Sequence, residues 1–368
     1  MAPSTAIYIL FSLLFISHIC VSSYVPSEIS QPKRRQETFP SSTIPPPGSL
    51  VVRQTNAKQG DYNTISAAVN ALKTLKGPQV IFIGPGTYHE QVHIKYKYPL
   101  RIQGYSSDPN SLTGNQVTVQ VAVSAASHNG ENAPSSAIWV QSPRNVINSF
   151  GTGTDTQAVA LTAQGEKHVY KYCLFSSYQD TLLIKTASSY FYGCRMEGAL
   201  MILSSFRNPD FIFGSGSAWF EMADIVVKPP KHFATITAQR RAQGGNTMFV
   251  FNKSKVLPFS QDTQPGSVYF GRPWSPYSAV AFQSCYLSNI INPLGWIPWN
   301  ESSDPRTQHV TYQEFNNYGP GSPTQKRQMS SMRSEPVKIS DVLGSVSQVS
   351  DLSIAIEIRN QTVIEKSH

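Results

Sequence analysis

The sequence is poor in charge and in cysteine. Only 14% of its 368 residues are Asp, Glu, Lys or Arg, whereas Gly and Pro number 23 and 26. This composition argues against long surface helices and favours many tight turns. Four cysteines are too few for a disulfide-built scaffold, and their spacing fits no metal-binding motif. Hydrophobic residues still make up 40% of the chain, ample for a core.

Apolar runs long enough to span a bilayer are also missing. The N-terminal run from Ala6 to Ile19 is too short for that, and the small residues Val21-Ser22-Ser23 after it offer a cleavage site. No Lys or Arg precedes the run, so an N-terminal membrane anchor is the alternative. We expect residues 1–23 to be a signal peptide, and the protein to be secreted with no membrane partner.

The charge that is present is mostly basic and dispersed, with a net value of +8. No nucleic-acid-binding motif accompanies it, so nucleic acid is excluded as a partner. A basic secreted protein would instead be held near an acidic matrix by long-range attraction that salt screens. Three Asn-x-Ser/Thr sequons fit an exported glycoprotein, although such sequons also arise by chance: Asn252, Asn300 and Asn360.

Residues 24–50 are Pro-rich and read as a leader or linker. We expect residues 51–345 to form one folded domain and residues 346–368 to be a C-terminal tail. One amphipathic helix is predicted from Thr64 to Leu75, with Asn63 or Thr64 as its N-cap. We expect this helix to cap the N-terminal end of the domain.

Beyond that helix, a repeat of short strands is predicted. An aromatic residue stands three positions before a small one at intervals of 21, 29, 31 and 31 residues. This pattern predicts a solenoid, specifically a parallel β-helix whose coils stack these residues on one another; coincidence in an aromatic-rich β protein is the alternative. The pairs are Tyr170–Cys173, Phe191–Cys194, Phe220–Ala223, Phe251–Ser254 and Phe282–Cys285.

Polar groups interrupt the apolar strands at a few points. Gln157 and Gln179 lie one coil apart, and Asp180, Asp210 and Arg272 follow. Two acids and two amides on one face suit acyl transfer, because one carboxylate can attack a carbonyl while the other moves the proton. The amides can donate to an oxyanion, and an arginine can clamp a carboxylate through its planar fork.

Each of these residues also has a structural interpretation. Either Gln could belong to an amide ladder, Asp180 could end a strand, and Asp210 could pair with a surface lysine. Their joint occurrence on neighbouring coils favours a catalytic role over these structural roles.

Five segments in order resemble the signatures of the pectin methylesterases (pectinesterases), over roughly residues 50 to 345. They are Gly86-Thr87-Tyr88-His89-Glu90, Gln157-Ala158-Val159-Ala160-Leu161, Gln179-Asp180-Thr181-Leu182, Asp210-Phe211-Ile212-Phe213-Gly214 and Gly271-Arg272-Pro273-Trp274. The resemblance implies an all-β, right-handed parallel β-helix that removes methyl groups from methylated galacturonan (pectin) at the cell wall. It implies no metal and no cofactor.

The resemblance also implies roles residue by residue. Asp210 matches the nucleophile, Asp180 the general acid and base, and Arg272 the partner of the nucleophile. Gln157 and Gln179 match the oxyanion donors. The residues expected to bind substrate are Trp274, Phe213 and Tyr178. We further expect a monomer that a proteinaceous inhibitor could bind.

One segment departs from the family pattern. Residues 200–209 stand where the family has a single residue, directly before Asp210. They are either a loop extruded from the groove or a sequence error such as unspliced message, and we expect them to be dispensable. An insertion there could misplace Asp210.

Two other functions compete with the esterase. The first is a pectin- or wall-binding β-helix protein that has lost turnover through the insertion. The second is a lyase or glycoside hydrolase on the same polymer, which the Gln–Asp–Arg set and the lack of an acidic calcium cluster argue against.

Overall fold

A computed structural model of the chain describes residues 42–108, 111–121, 123, 131–140, 159–165, 167–177, 180–186, 188–198, 210–300 and 303–344. The predicted signal peptide, most of the Pro-rich leader and the predicted tail lie outside these ranges. So do the segment 200–209 and three predicted site residues, Gln157, Tyr178 and Gln179.

Short strands form most of the described structure. In chain order they are β1 (Leu50–Val52), β2 (Gln79–Ile83), β3 (Gly86–Tyr88), β4 (Val92–Ile94), β5 (Leu100–Gly104), β6 (Val117–Val119), β7 (Ile138–Val140), β8 (Leu161–Ala163), β9 (His168–Lys171), β10 (Leu174–Ser176), β11 (Leu182–Ile184), β12 (Ser188–Tyr192), β13 (Arg195–Gly198), β14 (Ile212–Gly214), β15 (Ser217–Glu221), β16 (Asp224–Val227), β17 (Ala234–Gln239), β18 (Phe249–Asn252), β19 (Lys255–Pro258), β20 (Val268–Pro273), β21 (Ala279–Gln283), β22 (Tyr286–Leu287), β23 (Thr311–Phe315) and β24 (Ser330–Met332).

Helices are short. The α-helices of the described ranges are α1 (Ile65–Ala71) and α2 (Ile339–Leu343), and 3-10 turns lie at Leu72–Thr74, Leu112–Gly114 and Ala133–Ser135. None of the helices in the described ranges has the length and apolar character needed to cross a bilayer.

Three parallel sheets define the architecture. The first sheet has the strand order β4-β7-β8-β11-β14-β17-β20, the second β9-β12-β15-β18-β21-β23-β24, and the third β10-β13-β16-β19-β22. The chain passes from sheet to sheet in turn, so that β14, β15 and β16 form one coil and β17, β18 and β19 form the next. The predicted parallel β-helix is confirmed. Two smaller parallel sheets, β1-β2-β5 and β3-β6, come from its N-terminal part.

The aromatic residues of the predicted repeat form one continuous stack inside the coils. They occupy paired positions on neighbouring strands of the second sheet. Their rings are nearly parallel, with centroids 4.7, 4.8, 4.5 and 4.3 Å apart along the series Tyr170, Phe191, Phe220, Phe251 and Phe282. All five are at most 1% exposed, so the repeat marks the core of the stack.

The small residues of the repeat link one coil to the one before it. Three of them donate from a hydroxyl or thiol to the backbone carbonyl of the preceding coil's aromatic residue. The pairs are Cys194–Tyr170 at 3.5 Å, Ser254–Phe220 at 3.1 Å and Cys285–Phe251 at 3.3 Å. The three cysteines of the described ranges form no disulfide and are buried, as a role in packing requires.

A left-handed residue precedes each small residue and turns the chain from the second sheet into the third. These residues are Tyr172, Gly193, Met222, Lys253 and Ser284, with φ between 49° and 58°. Four of the five carry a side chain, so this conformation alone does not demand glycine. Gly193 is required by packing, because a Cβ there would lie 2.8 Å from the Tyr172 ring.

The predicted N-terminal helix is present as α1 and the 3-10 turn that continues it. Thr64 is its N-cap and accepts a hydrogen bond from the Ala67 amide at 3.1 Å. The Glu90 carboxylate accepts from the first two helical amides, those of Ile65 at 2.7 Å and Ser66 at 2.8 Å. Glu90 therefore ties the helix to the stack. That the helix caps the end of the stack stays a prediction.

Truncation of the stacked aromatic residues tests their contribution to stability. We expect Phe251→Ala to lower the free energy of unfolding by about 3–5 kcal/mol, because it leaves a cavity between two rings that cannot close up. Met332, which is 56% exposed, supplies the control: Met332→Ala should change it by less than about 0.5 kcal/mol. Urea unfolding measures both variants, and equal losses would contradict the core role of the stack.

Candidate active site

The two predicted acids lie on adjacent coils, each just before a strand of the first sheet. Asp180 precedes β11 and Asp210 precedes β14, and these strands are paired. The Asp180 amide donates to the Asp210 carbonyl at 3.1 Å, which locks the two residues one above the other. Asp180 has a left-handed backbone, with a φ of 58°, which is uncommon for a residue with a side chain. Asp180 therefore occupies a left-handed turn directly before the first sheet.

Asp210 is held from two directions. Arg272 in β20 donates from Nε to Oδ1 at 2.8 Å and from Nη2 to Oδ2 at 3.0 Å, a bidentate contact. Thr235 in β17 donates from Oγ1 to Oδ1 at 2.8 Å. Among the described residues Oδ2 therefore accepts one hydrogen bond and Oδ1 two, which leaves Oδ2 with the greater capacity to react. The insertion has not separated Asp210 from its partner.

Arg272 is itself fixed by an aromatic ring. Its guanidinium carbon lies 4.1 Å from the ring centroid of Trp299, and that of Arg306 lies 4.8 Å from the same ring. Arg306 also donates to the Trp274 carbonyl at 2.6 Å. Cation–π contacts of this kind restrain a guanidinium without neutralising it. The charge of Arg272 therefore stays available to Asp210.

The two carboxyl groups have different protonation preferences. Burial and the nearby charge of Asp210 raise the pKa of Asp180 to about 8, against weaker opposing effects that include a hydrogen bond from Asn132. Burial also raises the pKa of Asp210, but the charge and hydrogen bonds of Arg272 and the bond from Thr235 oppose that rise. Asp210 is therefore the first of the two to ionise, and Asp180 keeps its proton at neutral pH.

Aromatic and apolar side chains flank the acids on the first sheet. Phe213 lies in the same row as Leu183 and Arg272, and its ring centroid is 6.1 Å from that of Trp274. The same apolar cluster includes Trp139 and Trp299. The arrangement brings two of the three predicted substrate-binding residues, Phe213 and Trp274, next to the carboxyl groups, whereas the third, Tyr178, is outside the described ranges.

Three contacts of the site were missed from the sequence: Asn132, Thr235 and Trp299. Asn132 and Thr235 lie 48 and 25 residues from the acids they contact, in segments without any motif. Trp299 follows Arg272 by 27 residues and lies outside the five motif segments, so no sequence signal pointed to it. The oxyanion role of Gln157 and Gln179 stays a prediction, since both lie outside the described residues.

A buried carboxylate and a buried protonated carboxyl beside a fixed guanidinium form a site suited to acyl transfer on a parallel β-helix. Known proteins agree with this class. The family model named Pectinesterase matches residues 50–337. The chain is 37% identical to a pectinesterase of Aspergillus niger over 313 residues, covering 82% of this chain and 89% of that one. It is 38% identical to a probable pectinesterase A of Neosartorya fischeri over 307 residues, with 82% and 87% covered.

Solved structures give the same result. The pectin methylesterase of Aspergillus niger matches with a TM-score of 0.74 at 32% identity, covering 85% of this chain and 100% of that one. The carrot pectin methylesterase matches with a TM-score of 0.67 at 27% identity, covering 80% and 91%. The chain belongs to the pectinesterase family of carboxylic ester hydrolases.

The raised pKa of Asp180 makes stability depend on pH with a definite sign. Its protonated form is favoured in the fold, so its contribution is complete below the ordinary pKa of 3.8 and is lost as the pH rises towards about 8. We therefore expect the free energy of unfolding of the wild type, minus that of Asp180→Asn, to fall between about pH 4 and about pH 8. Urea unfolding of both proteins across this range measures it. A difference that rises or stays flat would show that Asp180 is not kept protonated by the fold.

Proposed function

We propose that the protein is an extracellular esterase that removes methyl groups from methylated galacturonan, releasing methanol and acidic pectin. The observation that carries the proposal is the bidentate contact between Arg272 and Asp210 beside the protonated Asp180. Attack on an ester needs an ionised nucleophile, and departure of methanol needs a proton at the same place.

In the first half-reaction, Asp210 Oδ2 attacks the carbonyl carbon of the methyl ester, and the carbonyl oxygen becomes an oxyanion. Gln157 and Gln179 are the proposed donors to that oxyanion. When the oxyanion collapses, the bond from carbon to the methoxy oxygen breaks. The methoxy group takes the proton of Asp180 and leaves as methanol, so that an acyl anhydride joins Asp210 to the sugar.

In the second half-reaction, Asp180 is ionised and accepts a proton from water as that water attacks the acyl carbon. The bond from the acyl carbon to Asp210 breaks, which restores the Asp210 carboxylate and the protonated Asp180. The galacturonic acid product then ionises and releases one proton to solvent per turnover. Arg272 stays paired with Asp210 and stabilises it as the leaving carboxylate.

Substrate binding combines stacking with charge. Trp274 and Phe213, with Tyr178, are proposed to contact the sugar rings next to the carboxyl groups. The net charge of +8 would concentrate a basic enzyme near the acidic polymer that it produces.

Export and assembly complete the proposal. We infer a signal peptide at residues 1–23, a monomer, and a surface that a proteinaceous inhibitor could bind. Asn252 is a poor glycan acceptor in the folded chain, because its amide donates to Glu221 at 2.7 Å and accepts from Gln283 at 3.0 Å. Asn300 and Asn360 are the better candidates among the sequons.

The products separate this function from its competitors. Methanol release from methylated galacturonan supports the esterase, whereas binding without methanol would support the binding protein that has lost turnover. Unsaturated products that absorb ultraviolet light would indicate a lyase, and new reducing ends a glycoside hydrolase.

Replacement of the proposed nucleophile gives the most direct test. We expect Asp210→Asn to lower kcat for methanol release on the order of 1000-fold or more, because an amide cannot form the anhydride. The matched control is Asp262→Asn, which alters an exposed aspartate whose hydrogen bonds go to Ser260 and Gln264 and not to the site residues, and it should keep wild-type activity. Near-normal turnover by purified Asp210→Asn would remove Asp210 from this role.

Arg272 is tested by a change that keeps its charge. We expect Arg272→Lys to lower kcat by about 100-fold, because an ammonium group cannot reproduce the two-point contact that orients Asp210. Arg327→Lys is the control. Arg327 Nε lies 2.9 Å from Glu314 Oε1 in an ion pair that is buried like the pair of Arg272 and Asp210, and its guanidinium carbon lies 4.9 Å from the ring centroid of Phe270. The control should lose stability but keep its kcat. Equal kcat values for Arg272→Lys and the wild type would contradict the clamp.

A further inference from the structure

Lys228 is a buried lysine that the proposed reaction does not use. It follows β16 directly and is only 9% exposed, which is rare for lysine unless its ammonium group has partners. It occupies a turn that carries the chain from the third sheet to the first. The two preceding connections between these sheets lead into β11 and β14, and they contain Asp180 and Asp210.

The side chain of Lys228 reaches across one coil to the turn that holds Asp180. Its Nζ donates to Ser176 Oγ at 3.0 Å and to the Ser177 carbonyl at 3.2 Å. Ser176 ends β10, and the order β10-β13-β16 puts β13 between this serine and the strand that precedes Lys228. The ammonium group therefore binds the entry to the Ser177–Asp180 segment.

Glu197 on the intervening coil completes the connection. Its Oε2 accepts from Ser176 Oγ at 3.0 Å, and its Oε1 accepts from Arg195 Nε at 2.7 Å. Its backbone carbonyl accepts from the Ser177 amide at 3.1 Å and from Thr181 Oγ1 at 3.1 Å. Ser177 and Thr181, on the two sides of Asp180, are thus both bonded to a single residue of the intervening coil.

The backbone of Lys228 holds that second coil as well. Its amide donates to the Gly198 carbonyl at 2.7 Å, at the last residue of β13 before the chain leaves for Asp210. One residue therefore contacts Ser176 and Ser177, shortly before Asp180, through its side chain and Gly198, the last residue of β13, through its backbone.

We propose that Lys228 is a positioning residue that fixes Ser176 and Ser177, and through them Asp180, relative to the neighbouring coils, and so sets the position of the Asp180 carboxyl group beside Asp210. The inference rests on the proposed esterase function. Displacement of a reacting group by about 1 Å can cost on the order of 100-fold in rate, so a link of this kind would matter for chemistry more than for substrate binding.

The test compares Lys228→Met with the wild type in methanol release from methylated galacturonan. Methionine keeps the apolar stem but removes the ammonium group. We expect kcat to fall by about 10- to 100-fold while KM stays within about twofold, because the loss concerns alignment and not the sugar-binding surface. Ser176→Ala, which removes one anchor without changing charge, should lower kcat in the same direction by a smaller factor.

The alkaline limb of the pH–rate profile is a second measurement, and a loss of stability alone would not shift it. Activity should fall as Asp180 loses its proton. Among the described residues, the charged or polar groups that face Asp180 are Asp210, Arg272 and Asn132. In Lys228→Met, Asp180 would be less restrained and more hydrated, which would lower its pKa. The alkaline limb of the pH–rate profile should therefore shift to lower pH. Loss of a positive charge alone would shift it to higher pH, which separates displacement from simple electrostatics.

Gln283→Met is the matched control for lost stability. Gln283 is a buried polar residue of the second sheet that binds the backbone of Val337 at 2.8 and 3.2 Å. This control should lower the unfolding midpoint but leave kcat and the pH profile unchanged.

The inference is overturned if Ser176→Ala and any folded Lys228→Met keep wild-type kcat and pH profile. A shift of the alkaline side to higher pH would also overturn it, because the effect would then be one of charge. A wild-type protein that releases no methanol would overturn the proposed function together with this inference.

Discussion

The hydrogen-bonded register between successive coils is the constraint on which the other features of this molecule depend. In a parallel stack, each backbone group of one coil is paired with the next, so a residue cannot move without its neighbours above and below. Phe191 is aligned with Phe220 inside the stack by the same rule that places the Asp180 amide against the Asp210 carbonyl. Core packing and site geometry are therefore two consequences of one register.

Burial by that stack makes the two carboxyl groups chemically different. Both lose hydration, which favours their neutral forms, but it is Asp210 that receives the two-point hydrogen-bonded contact from Arg272. Asp180 has an amide, Asn132, in place of a guanidinium, and it feels the charge of Asp210 as well. Arg272, which is itself restrained against Trp299, therefore favours the ionised form of Asp210 and leaves the proton on Asp180.

The fold could be predicted from the sequence because its signal is local. An aromatic residue three positions before a small one reflects one strand end and one left-handed turn, and the spacing repeats wherever a coil repeats. The association of Asp210 with Arg272 needed the family resemblance, since 62 residues separate them. Thr235, Asn132 and Trp299 had no such signal, because coil stacking alone brings these separate segments together.

The two residues that flank the segment before Asp210, Gly198 and Asp210 itself, are held in place by pairing with neighbouring coils. Gly198, where the chain leaves the third sheet, pairs with Val227, and its carbonyl accepts the Lys228 amide. Asp210, where the described chain resumes, is bound to Asp180 through its backbone and to Arg272 through its side chain. Both ends of the segment are thus fixed by neighbouring coils that do not depend on what lies between them. A solenoid sets the position of a residue through the coils beside it, so extra length between two such points need not move either. Asp210 accordingly contacts both Asp180 and Arg272, whereas its role as the nucleophile stays a prediction.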